Sequence, residues 1–266
     1  MNMKKILLFA LPLMAMCFAS CEKDNGNDGN TVQKLVKSIT YMESPDYPLV
    51  TTFEYDENGR VIRSEWIEDG NTFTIADVAY TDDMIIETGP GGKQQASEDG
   101  TGTTTVSQLK EEYIHYLNDD GYVIKTEYKD YWSDETYNTT VSQTYEYENG
   151  KLAKVQSDGL VLYELQWQRD DIVNISQKYD IKSITYSNIE DKFNINILSL
   201  FGVGFSVRGT IDIWGTATGI DFKGMASEHL PQMLDGEVYS YELDSDGYVT
   251  TIKVDGEPIY YIEYAE

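Results

Sequence analysis

The sequence predicts an all-β protein: a long, strongly twisted antiparallel hairpin meander curled into a barrel or half-barrel, with a short apolar or helical plug near its C-terminal end. Three observations carry this. Short runs of alternating side chains recur along the chain, turn signals separate them, and one apolar, glycine-rich stretch breaks the pattern.

The repeated unit is clearest at residues 51–66, TTFEYDENGRVIRSEW. YDENGRV at 55–61 recurs as LNDDGYV at 117–123, YENGKL at 147–152 and LDSDGYV at 243–249. Asn-Gly and Asp-Gly tolerate the positive φ angles of a tight hairpin, so Gly59, Gly121, Gly150 and Gly247 are expected at turns. Weaker copies without the glycine are AYTDDMIIET (79–88), LQWQRDDIVNIS (165–176) and ITYSNIEDKFNINI (184–197). A calcium loop is the competing reading of these acids. It fails on spacing: counted from Asp244, position 12 is Asp255 where an EF-hand needs glutamate.

Alternation predicts which faces are buried. Tyr122, Ile124, Thr126 and Tyr128 share one face, against Val123, Lys125, Glu127 and Lys129. Tyr145 and Tyr147 oppose Thr144, Glu146 and Glu148; Tyr260, Ile262 and Tyr264 oppose Tyr261 and Glu263. A sheet that is aromatic on one side and charged on the other is wet on one side, and so many strands cannot stay flat. The same charged face argues against a lipid-facing pore wall. Residues 198–224 are apolar and glycine-rich, and MASEHLPQML (225–234) reads as a short helical turn with Ser227 as a cap. Together they fit a plug, with a mobile flap over a ligand cavity as the alternative.

The N-terminus carries an address. Lys4 and Lys5, an apolar run from Ile6 to Phe18, and small residues before Cys21 make residues 1–20 a secretory signal too short to span a bilayer. FASC at 18–21 resembles a bacterial lipobox, with Phe18 where Leu is commoner; that resemblance implies diacylation of Cys21 and anchoring of the chain to a membrane. Cys17 would be lost with the signal, so the mature chain would hold neither a disulfide nor a free thiol. Residues 21–33 read as a lipidated flexible tether and 34–266 as one β-meander domain. Glu22 and Asp24, close behind the cysteine, resemble the surface-export signal of Bacteroidetes lipoproteins, which favours the outer face of the outer membrane over the periplasmic one.

Composition narrows the function. The formal net charge is −26, or −28 once Lys4 and Lys5 leave with the signal. Such a surface repels phosphate backbones, so nucleic acid is not an expected partner. Only two histidines, His115 and His229, are present, without metal-binding spacing; no nucleophile elbow or P-loop occurs, and GPGGKQQ at 89–95 lacks the P-loop frame. No metal, cofactor or catalytic residue is therefore expected. The aromatic supply of 21 Tyr, 8 Phe and 4 Trp suits ligand stacking, and Tyr131 and Trp132, set among charges in YKDYWSDETY (128–137), are the candidate ligand-binding pair.

The lipobox, the acidic tether, the hairpin motifs and the late SEHLPQML…VYSYELDSDGYVTTI stretch together resemble a Bacteroidetes lipoprotein family with a domain of unknown function described as having a porin-like fold. Leu230-Pro231 stands at the family's "LP" motif, with His229 where Asn is common. The resemblance implies a fold and an outer-membrane address; it brings no catalytic residues. Two functions remain open: a non-catalytic module binding a glycan or a protein, and a structural or envelope-assembly partner working through an exposed sheet edge. An acid-based hydrolase stands a distant third.

Overall fold

A computed structural model describes residues 33–44, 47–68, 71–90, 93–98, 102–132, 140–177, 180–196 and 220–265. The strands are β1 (Val36–Ser44), β2 (Tyr47–Tyr55), β3 (Val61–Glu68), β4 (Asn71–Tyr80), β5 (Met84–Pro90), β6 (Lys93–Glu98), β7 (Gly102–Leu117), β8 (Val123–Trp132) and β9 (Thr140–Glu148). There follow β10 (Lys151–Ser157), β11 (Leu160–Gln168), β12 (Asp171–Gln177), β13 (Asp180–Glu190), β14 (His229–Leu234), β15 (Glu237–Leu243), β16 (Val249–Val254) and β17 (Glu257–Tyr264). Neighbours in sequence pair antiparallel, and β1 pairs with both β2 and β17, closing the sheet on itself. β5 and β6 lie in line along the single long strand β7, so the closed barrel is a ring of sixteen. Closure removes the edges an open sheet of this length would expose. β6 and the first part of β7 run on as a two-stranded arm.

Two turn designs build the hairpins. In the first, Asp56, Asn118 or Asp244 opens a five-residue turn. Its side-chain oxygen accepts the amide N–H groups two and four residues on, at 2.9–3.1 Å. Its carbonyl accepts the N–H of Gly59, Gly121 or Gly247, whose φ values are 74°, 80° and 82°. These side chains serve the backbone of their own turns. In the second design both central residues have positive φ, the twist-matched two-residue turn: Asn149-Gly150 (52°, 77°), Asp158-Gly159 (50°, 76°), Asp235-Gly236 (52°, 91°) and Asp255-Gly256 (51°, 91°). The last three Asp-Gly turns are additions to the motifs read from sequence.

Because the strands alternate in direction, connections 56–60, 81–83, 118–122, 149–150, 169–170, 191–228 and 244–248 share one end of the barrel, here the packed end. Most hairpins splay there. The β1–β2 ladder starts only at Ser38 and Thr52, and the β3–β4 ladder at Arg63 and Asp77. An aromatic side chain near the end of the second strand closes each gap by donating to a carbonyl of the first. Tyr55, Tyr80, Tyr147, Trp167, Tyr186, Tyr241 and Tyr264 reach Val36, Val61, Val123, Leu152, Ile172, Pro231 and Val249 at 2.5–3.0 Å. Each bond satisfies a carbonyl that would otherwise be left unpaired in the core. Burial of the Tyr55 hydroxyl pushes its pKa up to about 12.

The core fills this end and, along β10–β12 and β15–β16, continues toward the far turns. Val36, Leu152, Val155, Tyr163, Ile172, Ile175, Leu230 and Ile252 are all buried, and Phe193, Ile195, Ile220, Phe222 and Met225 from 191–228 pack against them.

Three expectations need correction. No helix occurs among the described residues: 229–234 is strand β14, and Ser227 caps nothing. Its hydroxyl instead accepts the Ile172 N–H at 3.1 Å and lies 2.7 Å from the Tyr186 hydroxyl. ITYSNIEDKFNINI is no hairpin, because the chain leaves the sheet after Glu190 and turns into the core. Strict alternation also fails at the start of β8. A bulge opposite Tyr116 and Leu117 sends Val123 inward with Thr126 and leaves Ile124 44% exposed. The plug expected over 198–224 lies mainly outside the described residues.

Candidate functional site

Followed along its inner face, the barrel changes chemistry from the packed end to the far end. On β7 and β8 the inward cross-strand pairs run Leu117/Val123, His115/Thr126, Tyr113/Tyr128 and Glu111/Asp130. On β1 and β17 they run Val36/Tyr264, Ile39/Ile262 and Tyr41/Tyr260, and on β2 and β3 Phe53/Ser64 gives way to Thr51/Trp66. Apolar, fully buried residues thus give way to half-buried aromatic and acidic ones, with Trp66 38% exposed. The repeat explains the regularity: inward residues recur every second position, so equivalent pairs reach equivalent heights.

Between the two levels lies a buried polar cluster. His115 Nε2 is 2.9 Å from Glu87 Oε1, and its Nδ1 is 2.9 Å from Thr126 Oγ1. All three are fully buried, as is Gln143, which accepts from the Tyr145 hydroxyl at 3.2 Å. Phe222 covers the imidazole at a ring distance of 4.8 Å. A His–Glu pair sealed in this way holds strands β5, β7 and β8 together; a reaction there would need a route for substrate past Phe222. His229 is placed elsewhere: its ring Nδ1 and its backbone N–H both meet the Asp171 carboxylate at 3.0 Å, which pins the start of β14 to β12. Among the described residues, no group of three or more His, Cys, Asp or Glu side chains is arranged to hold a metal ion.

Above the cluster the aromatic level begins. Tyr113 and Tyr128 lie 4.9 Å apart, Tyr41 and Tyr260 5.2 Å apart, both tilted pairs that leave ring area for a third group. The Tyr128 hydroxyl donates to Glu111 at 3.2 Å; burial, followed by the hydrogen bond with Asp130, raises its pKa well above the phenol range. Burial pushes Tyr260 up to about 12. These phenols therefore stay neutral donors, set beside the acceptor carboxylates Glu111 and Asp130. That is the chemistry of hydroxyl-rich ligands: ring faces for the apolar side, carboxylates and phenols for the hydroxyls.

Tyr131 lies on the outer face of the same two strands. Its hydroxyl donates to Glu112, and the Lys110 ammonium sits 4.3 Å from its ring centre while pairing with Glu112 at 2.7 Å. Trp132 ends β8 opposite Gln108; its side chain lies outside the described residues. Alternation of inward and outward positions is visible in the sequence, but the pairing of Tyr41 with Tyr260 joins the first and last strands, and only closure of the ring brings them together.

The outer wall carries ion pairs: across strands Arg63 with Asp77, Lys154 with Glu146 and Lys253 with Glu242, and within a strand Arg63 with Glu65 and both Lys125 and Lys129 with Glu127. The class this architecture defines is a porin-like antiparallel barrel. Among solved structures the chain is similar to a porin-like protein from Bacteroides uniformis, at 18% identity and a TM-score of 0.51 over 86% of this chain and 96% of that one. A porin-like protein from Bacteroides vulgatus aligns over 87% and 98% at 13% identity and a TM-score of 0.39. No protein-family model and no curated protein matches the chain. The likeness to the B. uniformis protein establishes the fold, and it is the porin-like fold that the sequence resemblance implies.

Proposed function

We propose that this protein is a non-catalytic binding module, a lipoprotein anchored to the outer membrane through Cys21, whose far-end inner wall receives a glycan or a segment of protein. The observation that carries the reading is the half-buried level of tyrosines, Trp66 and paired carboxylates above a sealed core. Lys34, at the start of the described domain, is held at the packed end by Tyr248 and Asp244. Ion pairs on the outer wall suit a barrel held in water off the bilayer, and the acidic residues after Cys21 favour the outer face.

A glycan array on the Cys21→Ser protein tests the reading. Binding should be lost when Tyr41 and Tyr260 are both changed to Ala, with circular dichroism unchanged. Tyr131→Ala with Trp132→Ala reports whether the end of β8 contributes. Turnover of any glycan, abolished by one carboxylate substitution, would overthrow the non-catalytic reading. Cys21→Ser itself should remove lipid labelling and membrane fractionation. The envelope-assembly reading retains one supporting feature. Ring closure leaves the two-stranded arm of β6 and β7 as the place among the described residues where a strand could be added to an open edge.

A further inference from the structure

Repeatedly in its own fold this protein seats an ammonium in the same way, over an aromatic ring and against a carboxylate beside that ring. On the outer wall Lys110 lies 4.3 Å from the Tyr131 ring centre and pairs with Glu112 at 2.7 Å, and the Tyr131 hydroxyl donates to the same carboxylate. Lys125 lies 5.4 Å from the Tyr116 ring centre and pairs with Glu127 at 2.6 Å, and Tyr116 donates to Glu127 at 3.2 Å. At the packed end Lys34 lies 5.1 Å from the Tyr248 ring centre and pairs with Asp244 at 2.7 Å. Ring quadrupole and carboxylate attract one cation together, and on the outer wall the phenol holds the carboxylate in place.

The inner wall repeats the phenol and carboxylate of this arrangement at the far end. Register puts Glu237, the first residue of β15, opposite the inward Leu234, and the Tyr239 hydroxyl donates to it at 2.8 Å. Glu237 is exposed, and its charge reaches Tyr260: burial, then Tyr41 and Glu237, push that phenol up to about 12. The half-buried Tyr41 and Tyr260 rings, 5.2 Å apart, thus stand beside this carboxylate. Among the described residues no lysine or arginine pairs with Glu237. Lys182, inward on β13 opposite Ile175, stands two strands away. The chain's formal charge of −26 draws a basic partner toward this end and repels a second copy.

We propose, resting on the reading of the far-end inner wall as a binding surface, that Glu237 and the Tyr41–Tyr260 pair form a cation subsite for the lysine ammonium of a protein segment. The built-in examples decide for lysine: each seats an ammonium carried on a flexible alkyl stem. The probe is a labelled Gly/Ser/Lys repeat peptide, followed by fluorescence anisotropy against the Cys21→Ser protein. The same peptide with its lysines acetylated keeps the length and removes the charge. Glu237→Gln should weaken the lysine peptide about five-fold or more, through loss of an exposed ion pair and a weakened cation–π site, with circular dichroism unchanged. Glu164→Gln removes one charge from the outer wall, where Glu164 stands opposite Lys154, and should change the affinity less than about two-fold. Tyr41→Phe with Tyr260→Phe keeps the ring faces and should retain most of the binding, whereas Tyr41→Leu with Tyr260→Leu should lose it. Equal losses from Glu237→Gln and Glu164→Gln, equal binding of the acetylated peptide, or no binding of the lysine peptide would overturn the proposal. So would a protonated glucosamine oligomer that binds through Glu237 where the lysine peptide does not, which would give the subsite to an amino glycan. Array glycans lost with Tyr41→Ala and Tyr260→Ala but untouched by Glu237→Gln would keep the binding wall and remove its cation preference. If neither an array glycan nor the lysine peptide depends on the two tyrosines, the binding wall falls as well.

Discussion

The two ends of this barrel are built from one repeat, yet they solve opposite problems. At the packed end the strands splay, and aromatic donors close the gaps; residues 191–196 and 220–228 pack on the core, and Gly224 meets the turn at Gly150. At the far end the β10–β11, β14–β15 and β16–β17 hairpins close in plain two-residue Asp-Gly turns, and a Cβ added at Gly159, Gly236 or Gly256 would meet nothing within 4 Å. The comparison teaches that the repeat supplies a generic wall. What differs between the ends is what the connections and the inward residues are asked to cover. The aromatic donors and the packing of residues 191–196 and 220–228 meet at one end, and the described far-end turns carry neither.

The sharpest way to break that comparison is a matched pair of glycine substitutions. A Cβ on Gly224 (φ 77°) would sit 2.4 Å from the Gly150 carbonyl oxygen and 3.0 Å from the Tyr122 ring, so residues 220–228 and the 149–150 turn would have to part. Gly224→Ala should cost about 3 kcal/mol or more, combining left-handed backbone strain with overpacking. Gly159→Ala (φ 76°) carries the strain alone and should cost about 1 kcal/mol. Urea denaturation of the two variants checks this; equal losses would mean that the packed end holds no special share of the stability.

Much of this architecture is legible in the chain itself. Alternating runs and Asn-Gly or Asp-Gly signals specify strands and turns locally, because positive φ and two-residue periodicity are properties of a few adjacent residues. The errors fall where a non-local partner decides. Val123 and Ile124 exchange faces because of a bulge set by β7. Residues 229–234, helical in short-range pattern, are drawn into a strand by β13 and β15. The tyrosines that end the strands read as core residues; their donor role depends on a carbonyl 10–24 residues away, across a splay that local pattern does not encode. The inner wall is half legible in the same sense. Its residue types and inward parity are in the sequence, but the meeting of β1 with β17 is a consequence of closure. Tyr131 stands out in the sequence by its charged neighbours, and two charged residues of the opposite strand, Lys110 and Glu112, occupy it in the folded barrel.

A smaller effect sharpens the role of the aromatic donors. The Tyr186 hydroxyl donates to the Ile172 carbonyl at 2.8 Å and lies within reach of Ser227, which itself accepts from the Ile172 amide. Tyr186→Phe keeps the ring but leaves a buried carbonyl short of a donor, a loss of about 1–3 kcal/mol. Tyr261→Phe, on the outer wall, should change stability by no more than about 0.5 kcal/mol. If both variants melt alike, the hydroxyls are ornaments of the splay and do not close it.

The smallest effect concerns the clasp that fixes the start of the domain to the packed end. Lys34 pairs with Asp244 and Asp246, both at 2.7 Å, and Asp244 also accepts the Asp246 and Tyr248 amides of its own turn. The Lys34 hydrogen bond, then those amides, lower the Asp244 pKa from 3.8 to about 2. A carboxylate that binds protons less readily when folded contributes stability above its unfolded pKa and loses it as pH falls through the folded one. The clasp should therefore hold at pH 4 and above and weaken between about pH 4 and pH 2. Because both partners are partly exposed to solvent, the effect on global stability is small and salt-sensitive. It is better read locally, by following the Asp244 carboxyl and the Ala265 amide, which donates to Leu35 at 2.8 Å, in an NMR titration. The carboxyl should titrate near 2 in the parent protein, and part of the way back toward 3.8 in Lys34→Gln, since the turn amides remain. Protection of the Ala265 amide should fall over the same pH interval. A parent Asp244 that titrates near 3.8 would show that Lys34 merely lies beside the turn, and that the packed end is held by its core and its aromatic donors alone.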